Sequence, residues 1–171
     1  MHSDERRRAI AEIVRASDSP ISASALAERF SVSRQIIVGD IALLRSAGEE
    51  ITATPRGYVT PKKARGVIRR IAVKHTPQEM ETELNAVVDQ GCTVVDVIVE
   101  HPVYGQLTGP LQISNRYEVR QFIERCENAE PLSRLTDGIH LHTLLCPDAA
   151  AFERTKTALR ALGMLLEENE N

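Results

Sequence analysis

Along the first fifty residues, apolar side chains recur every three to four positions, which is the spacing of short amphipathic helices. Between residues 4 and 16 the apolar residues fall on one helical stripe, and the segment 17–22 breaks it. Ser22 and Ser33 are suitable N-cap residues for a second and a third helix, the third ending near Gly48. Three short helices with a tight link between the last two predict a helix-turn-helix.

The segment that follows the third helix, "ITATPRGYVT" (51–60), has the pattern of a β-hairpin. Its centre places Pro55 and Gly57 where a tight turn favours them, and β-prone residues lie on both sides. This arrangement predicts a β-wing with Arg56 at its tip, so the first module is expected to be a winged helix.

The third helix carries polar and small residues on the side opposite its apolar stripe. On a helical wheel that side holds Gln35, Gly39, Ala42 and Ser46, flanked by Arg34 and Arg45. Gln can bond adenine in two places and Arg can do the same with guanine. We expect DNA contacts from Ser33, Arg34, Gln35, Arg45 and, on the wing, Arg56, although any one of them alone is equally well explained as a solvated surface residue.

The pattern changes after residue 66 to alternating strands and helices. Strands are predicted at 67–75, 92–101, 104–113 and 138–146, and helices at 76–91, 117–127 and from Asp148 to Leu166. The order βαββαβα predicts an open-faced sandwich with helices on one side of a largely antiparallel sheet. The chain is therefore expected to be α+β, with a DNA-binding domain at 1–60, a basic linker at 61–66 and a second domain at 67–171.

Composition excludes several classes of protein. Hydrophobic residues make up 42% of the 171 residues, enough for a buried core, and no apolar run approaches the roughly 18 residues of a membrane span. The 4% aromatic content argues against a stacking platform for single-stranded nucleic acid. Three widely spaced cysteines and the lack of a signal-peptide pattern predict a cytoplasmic protein without disulfides.

The net charge of −3 conceals a strong asymmetry along the chain. Residues 61–74 contain six basic and no acidic side chains, whereas residues 75–171 contain seven basic and sixteen acidic ones. A neutral-to-basic first part joined to an acidic second part indicates that only the first part contacts phosphates.

Four of the five histidines lie in the second module. His140 and His142 share one face of a strand because they are two residues apart, while His75 and His101 close two other strands. Glu79 is committed to a capping box with Thr76, which leaves Glu83, one turn later, as the freer carboxylate. Three imidazoles and a carboxylate suit Zn²⁺, Ni²⁺, Co²⁺ or Fe²⁺, but an H-x-H pair alone is also explained by two polar residues at a solvated edge.

Three segments of the second module, "RRIAVKHTPQEMETEL", "VVDVIVEHPVYGQLTGPL" and "GIHLHTL", closely resemble the motifs of the three-histidine domain. A winged helix ending in "ATPRGY" precedes them, as it does in the niacin-responsive transcriptional repressors (NiaR, also called YrxA) of Gram-positive and related bacteria. The resemblance covers essentially the whole chain.

The resemblance implies a homodimer whose second domain is similar to histidine-containing phosphocarrier proteins. It implies repression of niacin-uptake or NAD-biosynthesis genes from a double-stranded operator, with nicotinic acid as co-repressor. It also implies a divalent transition metal, Ni²⁺ or Zn²⁺, on residues that here are His75, Glu83, His140 and His142. The "EHPVYG" segment would line the effector pocket with His101, Tyr104 and Gly105.

The predicted DNA-binding domain departs from the family at two places, one in its third helix and one just before the wing. Gly39 stands where relatives commonly carry a basic or polar residue, and Glu49-Glu50 before the wing adds negative charge near DNA. Both departures predict either a different operator or weaker DNA binding. The sequence thus favours a non-enzymatic repressor, with a metal-sensing repressor and a metal-dependent hydrolase tethered to DNA as the alternatives.

Overall fold

The computed structural model describes residues 2–61, 65–127 and 129–167 of the chain, so that half of the predicted basic linker, residues 62–64, lies outside the described residues. The chain divides into two compact units, Met1–Lys63 and Ala64–Asn171. Within the part that is described, no helix has the length and apolar character needed to cross a membrane.

The first unit is a three-helix domain followed by a two-stranded hairpin. Its elements are α1 (Ser3–Ala16), α2 (Ala23–Phe30), α3 (Arg34–Ser46), β1 (Thr52–Thr54) and β2 (Gly57–Val59). The side-chain hydroxyls of Ser22 and Ser33 accept the backbone N–H groups of Ala25 and Ile36 at 3.1 and 3.3 Å. Both serines are therefore the N-caps that the sequence predicts.

The hairpin is fastened to the link between α1 and α2. Tyr58 and Ile21 exchange two backbone hydrogen bonds, of 2.8 and 3.0 Å. Gly57 has a φ of +139°, and a Cβ there would collide with the carbonyl group of Ile21. Glycine is therefore required at this position, and the predicted turn forms because of it.

The second unit contains a four-stranded sheet with helices against one face. Its strands are β3 (Val67–Lys74), β4 (Thr93–His101), β5 (Gly105–Ile113) and β6 (Ile139–Cys146), and its α-helices are α4 (Met80–Val88), α5 (Arg116–Cys126) and α6 (Ala149–Ala161). Two short 3-10 helices, Pro77–Glu79 and Leu132–Thr136, complete it. The strand order is β3-β6-β4-β5 with every pair antiparallel, which confirms the α+β prediction.

The core of the second unit joins all three α-helices to the sheet. Leu84, Val119 and Leu159, one from each helix, pack in one cluster with Val73 and Leu144 from the strands, and all five are fully buried. Because α4 is anchored by Leu84, the neighbouring Glu83 is also buried against the sheet.

The prediction that the last helix extends to Leu166 is wrong. The helix ends at Ala161, and Gly163 adopts a left-handed φ of +71° that turns the chain back. Leu165 then lies beside Val73, the N–H of Lys74 donates to Met164 at 2.8 Å, and the N–H of Leu166 donates to Ala72 at 2.9 Å. The apolar spacing continues past the helix because the returning segment packs on the same sheet.

The expectation of no disulfide is also wrong, because Cys92 and Cys146 are bonded to each other. Thr93 pairs with Leu145 across the β4–β6 ladder, so the residues just outside that pair stand opposite one another. Both cysteines are fully buried. Spacing along the chain gave no sign of the bond, since it depends on strand pairing between segments 54 residues apart.

Candidate functional site

One buried carboxylate and three imidazoles meet between α4 and the sheet. Glu83 projects from α4, His75 follows the last residue of β3, and His140 and His142 lie on β6. The four residues are 7% exposed at most. The ladder pairs His142 with Ile71 and His140 with Val73, so both histidines share the helix-covered face with core residues.

All three rings present the same nitrogen to the carboxylate. The Nε2 of His75 lies 2.8 Å from Oε2 of Glu83, the Nε2 of His140 lies 3.7 Å from that oxygen, and the Nε2 of His142 lies 3.1 Å from Oε1. Neighbouring rings are nearly perpendicular, with centroids 4.9 Å apart for His75 and His140 and 4.8 Å for His140 and His142.

The other nitrogen of each ring is held by a backbone carbonyl group. The Nδ1 of His75 donates to Thr76 at 2.7 Å, that of His140 to Gly138 at 2.9 Å, and that of His142 to Asp96 at 2.6 Å. A carbonyl oxygen only accepts, so each Nδ1 carries a proton, and a neutral ring then has its lone pair on Nε2. Three such lone pairs point at a carboxylate.

Nε2 of His142 and Oε1 of Glu83 are both buried and lie 3.1 Å apart, but without hydrogen-bond geometry, and neither atom has another hydrogen-bond partner. Buried polar atoms are normally satisfied, so this pair indicates a place for a bound cation or for added protons. His75, Glu83 and His140 each offer a ligand atom, and these atoms lie within 4.8 Å of one another. The donor set of imidazole nitrogens and carboxylate therefore fits a divalent transition metal.

Glu83 and the histidines shift one another's pKa values toward the charged forms. Burial tends to lower the pKa of His75 and His142, but the Glu83 carboxylate outweighs it and the net pKa of both rings is raised. Burial tends to raise the pKa of Glu83, yet the attraction of His142 and the close contacts with all three histidines hold it well below the ordinary value. Without a metal, positive charge on the rings balances the carboxylate.

The start of β6 is shaped to sit close to His75. Gly138 has a φ of +85°, and a Cβ there would collide with the carbonyl oxygen of His75. The carbonyl of Gly138 accepts the N–H of His75 at 3.4 Å as well as the Nδ1 proton of His140. Gly138 therefore positions two of the three rings.

Glu79 is occupied as the sequence predicts. Its Oε2 accepts the backbone N–H of Thr76 at 2.8 Å and the Thr76 hydroxyl at 2.9 Å, and these bonds lower the pKa of the Glu79 carboxyl. The capping box starts the 3-10 turn that leads into α4, and it leaves Glu83 to the histidines.

A cleft of about 570 Å³ opens beside the cluster and reaches His75. Its lining includes the cations Lys74 and Arg134 and the anions Glu79 and Asp137. The Arg134 guanidinium also pairs with Glu130 at 2.7 Å on the exposed side. The volume lies within the usual range for sites that bind small molecules.

His101 stands apart from the cluster, at the end of β4 where the turn to β5 begins. Its Nδ1 accepts the N–H groups of Val103 and Tyr104 at 3.1 and 3.3 Å, and its ring lies 5.0 Å from the Tyr104 ring. Tyr104 is 73% exposed, and Gly105 has a φ of +67° that closes the turn. The structure thus brings three of the four histidines together and gives His101 a role in its own turn.

The predicted DNA-contacting residues lie on or beside α3 and on the hairpin. Arg34, Gln35 and Arg45 are exposed, Ser33 caps the helix, and Arg56 is half-buried in the β1–β2 turn. Sequence reasoning missed Asp40, which is 4% exposed and accepts Nε of Arg6 at 2.6 Å. An acidic residue on the apolar side of a helix is the signal that would have found it.

Lys74, Arg134 and Gly138 were also missed as neighbours of the site. Lys74 and Gly138 each lie within two residues of a histidine, inside the quoted motifs, which is a usable signal in retrospect. Nothing in the sequence marks Arg134, because the Leu132–Thr136 turn that brings it to the cleft has no clear periodicity.

Comparison with known proteins agrees with this two-part architecture. A family model described as an HTH domain matches residues 6–59, and one described as a 3H domain matches residues 68–168. The chain is 49% identical over 166 residues to the "Probable transcription repressor NiaR" of Thermotoga maritima, covering 96% of this chain and 95% of that protein. It is 44% identical over 158 residues to the "Transcription repressor NadR" of Bacillus subtilis, covering 89% and 88%.

Proposed function

Because the chain belongs to the NiaR-type family of transcription repressors, which join an HTH domain to a 3H domain, we propose that it represses genes of NAD biosynthesis or niacin uptake. In this proposal it binds a double-stranded operator in the cytoplasm as a homodimer, and nicotinic acid is the co-repressor. The role is regulatory rather than enzymatic. The observation that carries the proposal is the buried cluster of three histidines and Glu83 in a chain that also has a winged helix.

We propose that His75, Glu83, His140 and His142 hold a divalent transition metal, with Ni²⁺ or Zn²⁺ the best fits. Support comes from the three carbonyl-held Nδ1 protons, which leave each Nε2 lone pair directed inward. It also comes from the two buried atoms without a hydrogen bond. When bound, the metal supplies a positive centre next to the cleft that can attract an anionic ligand.

The cleft beside His75 is our proposed site for the nicotinate ring. Its carboxylate would pair with Lys74 or Arg134, whose side chains line the cleft, and Pro77 offers an apolar surface for the ring. A second position for the effector is the β4–β5 turn, with His101, Tyr104 and Gly105. An exposed Tyr104 ring next to His101 favours stacking on an aromatic ligand.

The two positions are separated by matched alanine variants. Arg134→Ala should weaken nicotinate binding at least about tenfold if the cleft is the site, because it removes a charge-assisted contact. Tyr104→Ala should do so if the turn is the site. Calorimetric titration of metal-loaded protein with nicotinate measures both, and nicotinamide, which lacks the charge, is the control ligand.

The whole proposal is tested by operator titration. Metal-loaded protein should bind operator DNA about 5- to 150-fold more tightly with nicotinate than without it, the usual range for coupled sites. Removing the metal with a chelator should abolish the difference, and restoring it should bring the difference back. Affinity that stays constant through all these steps would contradict the proposal.

Single substitutions in the cluster should affect the second unit alone. His140→Ala and His142→Ala are each expected to weaken metal binding and the nicotinate response. The first unit has its own core and should keep its fold, which hydrogen exchange of α1 to α3 can measure. Light scattering of the same samples tests the homodimer.

A metal-sensing repressor is the second candidate, favoured by the same cluster. In that case the metal itself would change DNA affinity without nicotinate. A metal that survives prolonged dialysis, together with DNA binding that responds to nicotinate alone, would exclude it.

A further inference from the structure

The exposed side of α3 consists of three parallel rows of different chemistry. A central row of small or polar side chains, which we call the floor, contains Gln35, Gly39, Ala42 and Ser46. An apolar ridge on one side is formed by Ile36 and Leu43, and a basic ridge on the other side by Arg34 and Arg45. Ile36 and Leu43 are seven residues apart, so they lie nearly in line along the helix.

Nothing in the structure of the first unit requires a glycine at position 39. Its φ is not positive, and a Cβ built on it would meet no atom of the described residues within 4 Å beyond its chain neighbours and the nearby backbone of its own helix. Glycine in the middle of a helix lowers helix stability relative to alanine. The usual reason to keep it is the close approach of another molecule to the backbone.

The apolar ridge is likewise unexplained by packing inside the first unit. Ile36 is 43% and Leu43 is 54% exposed, while Ile37, Ile41 and Leu44 already fill the core side of the helix. Major-groove edges of DNA offer one apolar group to such side chains, the C5 methyl of thymine.

Charge on this side of α3 matches DNA. Asp40 is the only acidic residue of the helix, and it is buried on the opposite side with Arg6 and Arg7 as partners. The exposed charges of α3 are therefore the guanidinium groups of Arg34 and Arg45. Glu49, expected to repel DNA, is paired with Arg15 at 2.8 Å, which reduces that repulsion.

We propose that α3 reads thymine methyl groups in the major groove. The floor at Gly39 and Ala42 lets the helix backbone come close to the base edges, and Ile36 and Leu43 then contact the methyl groups of thymines in the half-site. Gln35 is the one amide on the floor and pairs with an adenine, while the basic ridge contacts phosphates. This inference rests on the proposed function, since it specifies the operator that the repressor recognises.

The first experiment removes the methyl groups and nothing else. Full-length protein selects high-affinity duplexes from a random pool, with metal and nicotinate present. Each thymine of the selected half-site is then replaced by deoxyuridine, one at a time. We expect at least two replacements to weaken binding about three- to tenfold, as the loss of a buried methyl contact predicts. Replacements in the flanking duplex should have no effect.

The second experiment assigns the methyl groups to the apolar ridge. Ile36→Ala and Leu43→Ala are each combined with the deoxyuridine duplexes in a double-mutant cycle. For a contacting pair, the loss caused by deoxyuridine should disappear in the alanine variant. Leu162→Ala is the matched control, because Leu162 is 44% exposed but lies after α6 in the other unit. It should leave every deoxyuridine effect intact.

The third experiment uses Gly39. Gly39→Ala should raise the melting temperature by a few degrees because it improves the helix, and yet weaken operator binding. Gly39→Leu should weaken binding on the order of a hundredfold or more, while circular dichroism shows an unchanged fold. Stability and DNA affinity that both improve in Gly39→Ala would overturn the inference.

The outcomes also separate this inference from the proposed function. If a defined duplex is selected but its binding is insensitive to deoxyuridine, the proposed repressor function stands and the reading of methyl groups by α3 is refuted. Failure to select any duplex refutes the repressor itself. A change of oligomeric state in Leu43→Ala, seen by light scattering, assigns the ridge to a protein contact and also overturns the inference.

Discussion

Among the described residues, each unit buries one carboxylate, and the two are satisfied in different ways. Asp40 in α3 is 4% exposed and accepts hydrogen bonds from the Arg6 guanidinium at 2.6 and 3.3 Å. Glu83 in α4 is 1% exposed and faces three imidazoles. The guanidinium is always charged, whereas an imidazole gains and loses its proton near neutral pH.

The partner therefore decides what a buried acid does. Asp40 and Arg6 form a complete pair that fixes α3 against α1, with its geometry independent of any ligand. Around Glu83, the Nδ1 atoms are committed to carbonyl groups and the Nε2 atoms face the carboxylate, where a metal or a proton can bind. The first arrangement stabilises the fold, and the second has the donor atoms that the proposed metal requires.

The sharpest test of this contrast is Glu83→Gln. The amide keeps the shape but removes the negative charge, so the dissociation constant for Zn²⁺ or Ni²⁺ should rise more than about a hundredfold, beyond the usual effect of losing a supporting residue around a metal. Competition with a chelator of known affinity measures it. Glu79→Gln, one turn earlier and outside the cluster, should change the constant less than about threefold.

The corresponding change in the first unit is Asp40→Asn. It leaves Arg6 without its anion in a largely covered position, and the melting temperature of the first unit should fall by roughly 5 °C or more. Metal affinity should not change. Asp4→Asn, which removes only an exposed partner of Arg7, is the control and should shift melting by less than about 2 °C. Equal shifts for the two variants would mean that Asp40 is not structural.

The smallest effect is expected in the pH dependence of the metal-free protein. The raised pKa of His75 and His142 adds stability that is full below their unfolded value near 6.5 and is lost as pH rises through the folded value. The lowered pKa of Glu83 adds stability above its unfolded value near 4.5. Melting temperature should therefore be highest between about pH 4.5 and 6.5, and it should fall above this window.

Bound metal should reverse the fall in melting temperature that we expect for the metal-free protein at higher pH. Binding displaces protons from the rings, so the loaded protein should become more stable as pH rises from 6 to 8. In the metal-free Glu83→Gln variant, melting temperature should depend less on pH, because the charge that raises the pKa of both histidines is gone. A metal-free protein whose stability rises steadily with pH would contradict the assigned directions.

Much of the cluster was predictable from the sequence. The two-residue period of a strand puts His140 and His142 on one face, and the Thr76–Glu79 capping box leaves Glu83 one helical turn further on. What the sequence did not reveal are the acceptors of the Nδ1 protons. Those are backbone carbonyls, and the one at Asp96 belongs to a neighbouring strand 46 residues away. Backbone groups carry no residue-type signal.

The errors have a common physical origin. The disulfide between Cys92 and Cys146 follows from strand pairing, and the early end of α6 follows from the left-handed turn at Gly163. The buried role of Asp40 was not predicted, because its partner Arg6 lies 34 residues earlier in α1. Local patterns predicted the elements, but contacts between distant segments decided these details.

The returning segment after Gly163 has a consequence for the edge of the sheet. An unpaired edge strand can recruit another chain and so promote aggregation. Met164 and Leu166 bond to Lys74 and Ala72 and cover the end of β3. A protease that removed this segment would expose the edge next to His75. Residues 164–166 thus protect the sheet against self-association at the end of β3 that leads into His75, a proposed metal ligand.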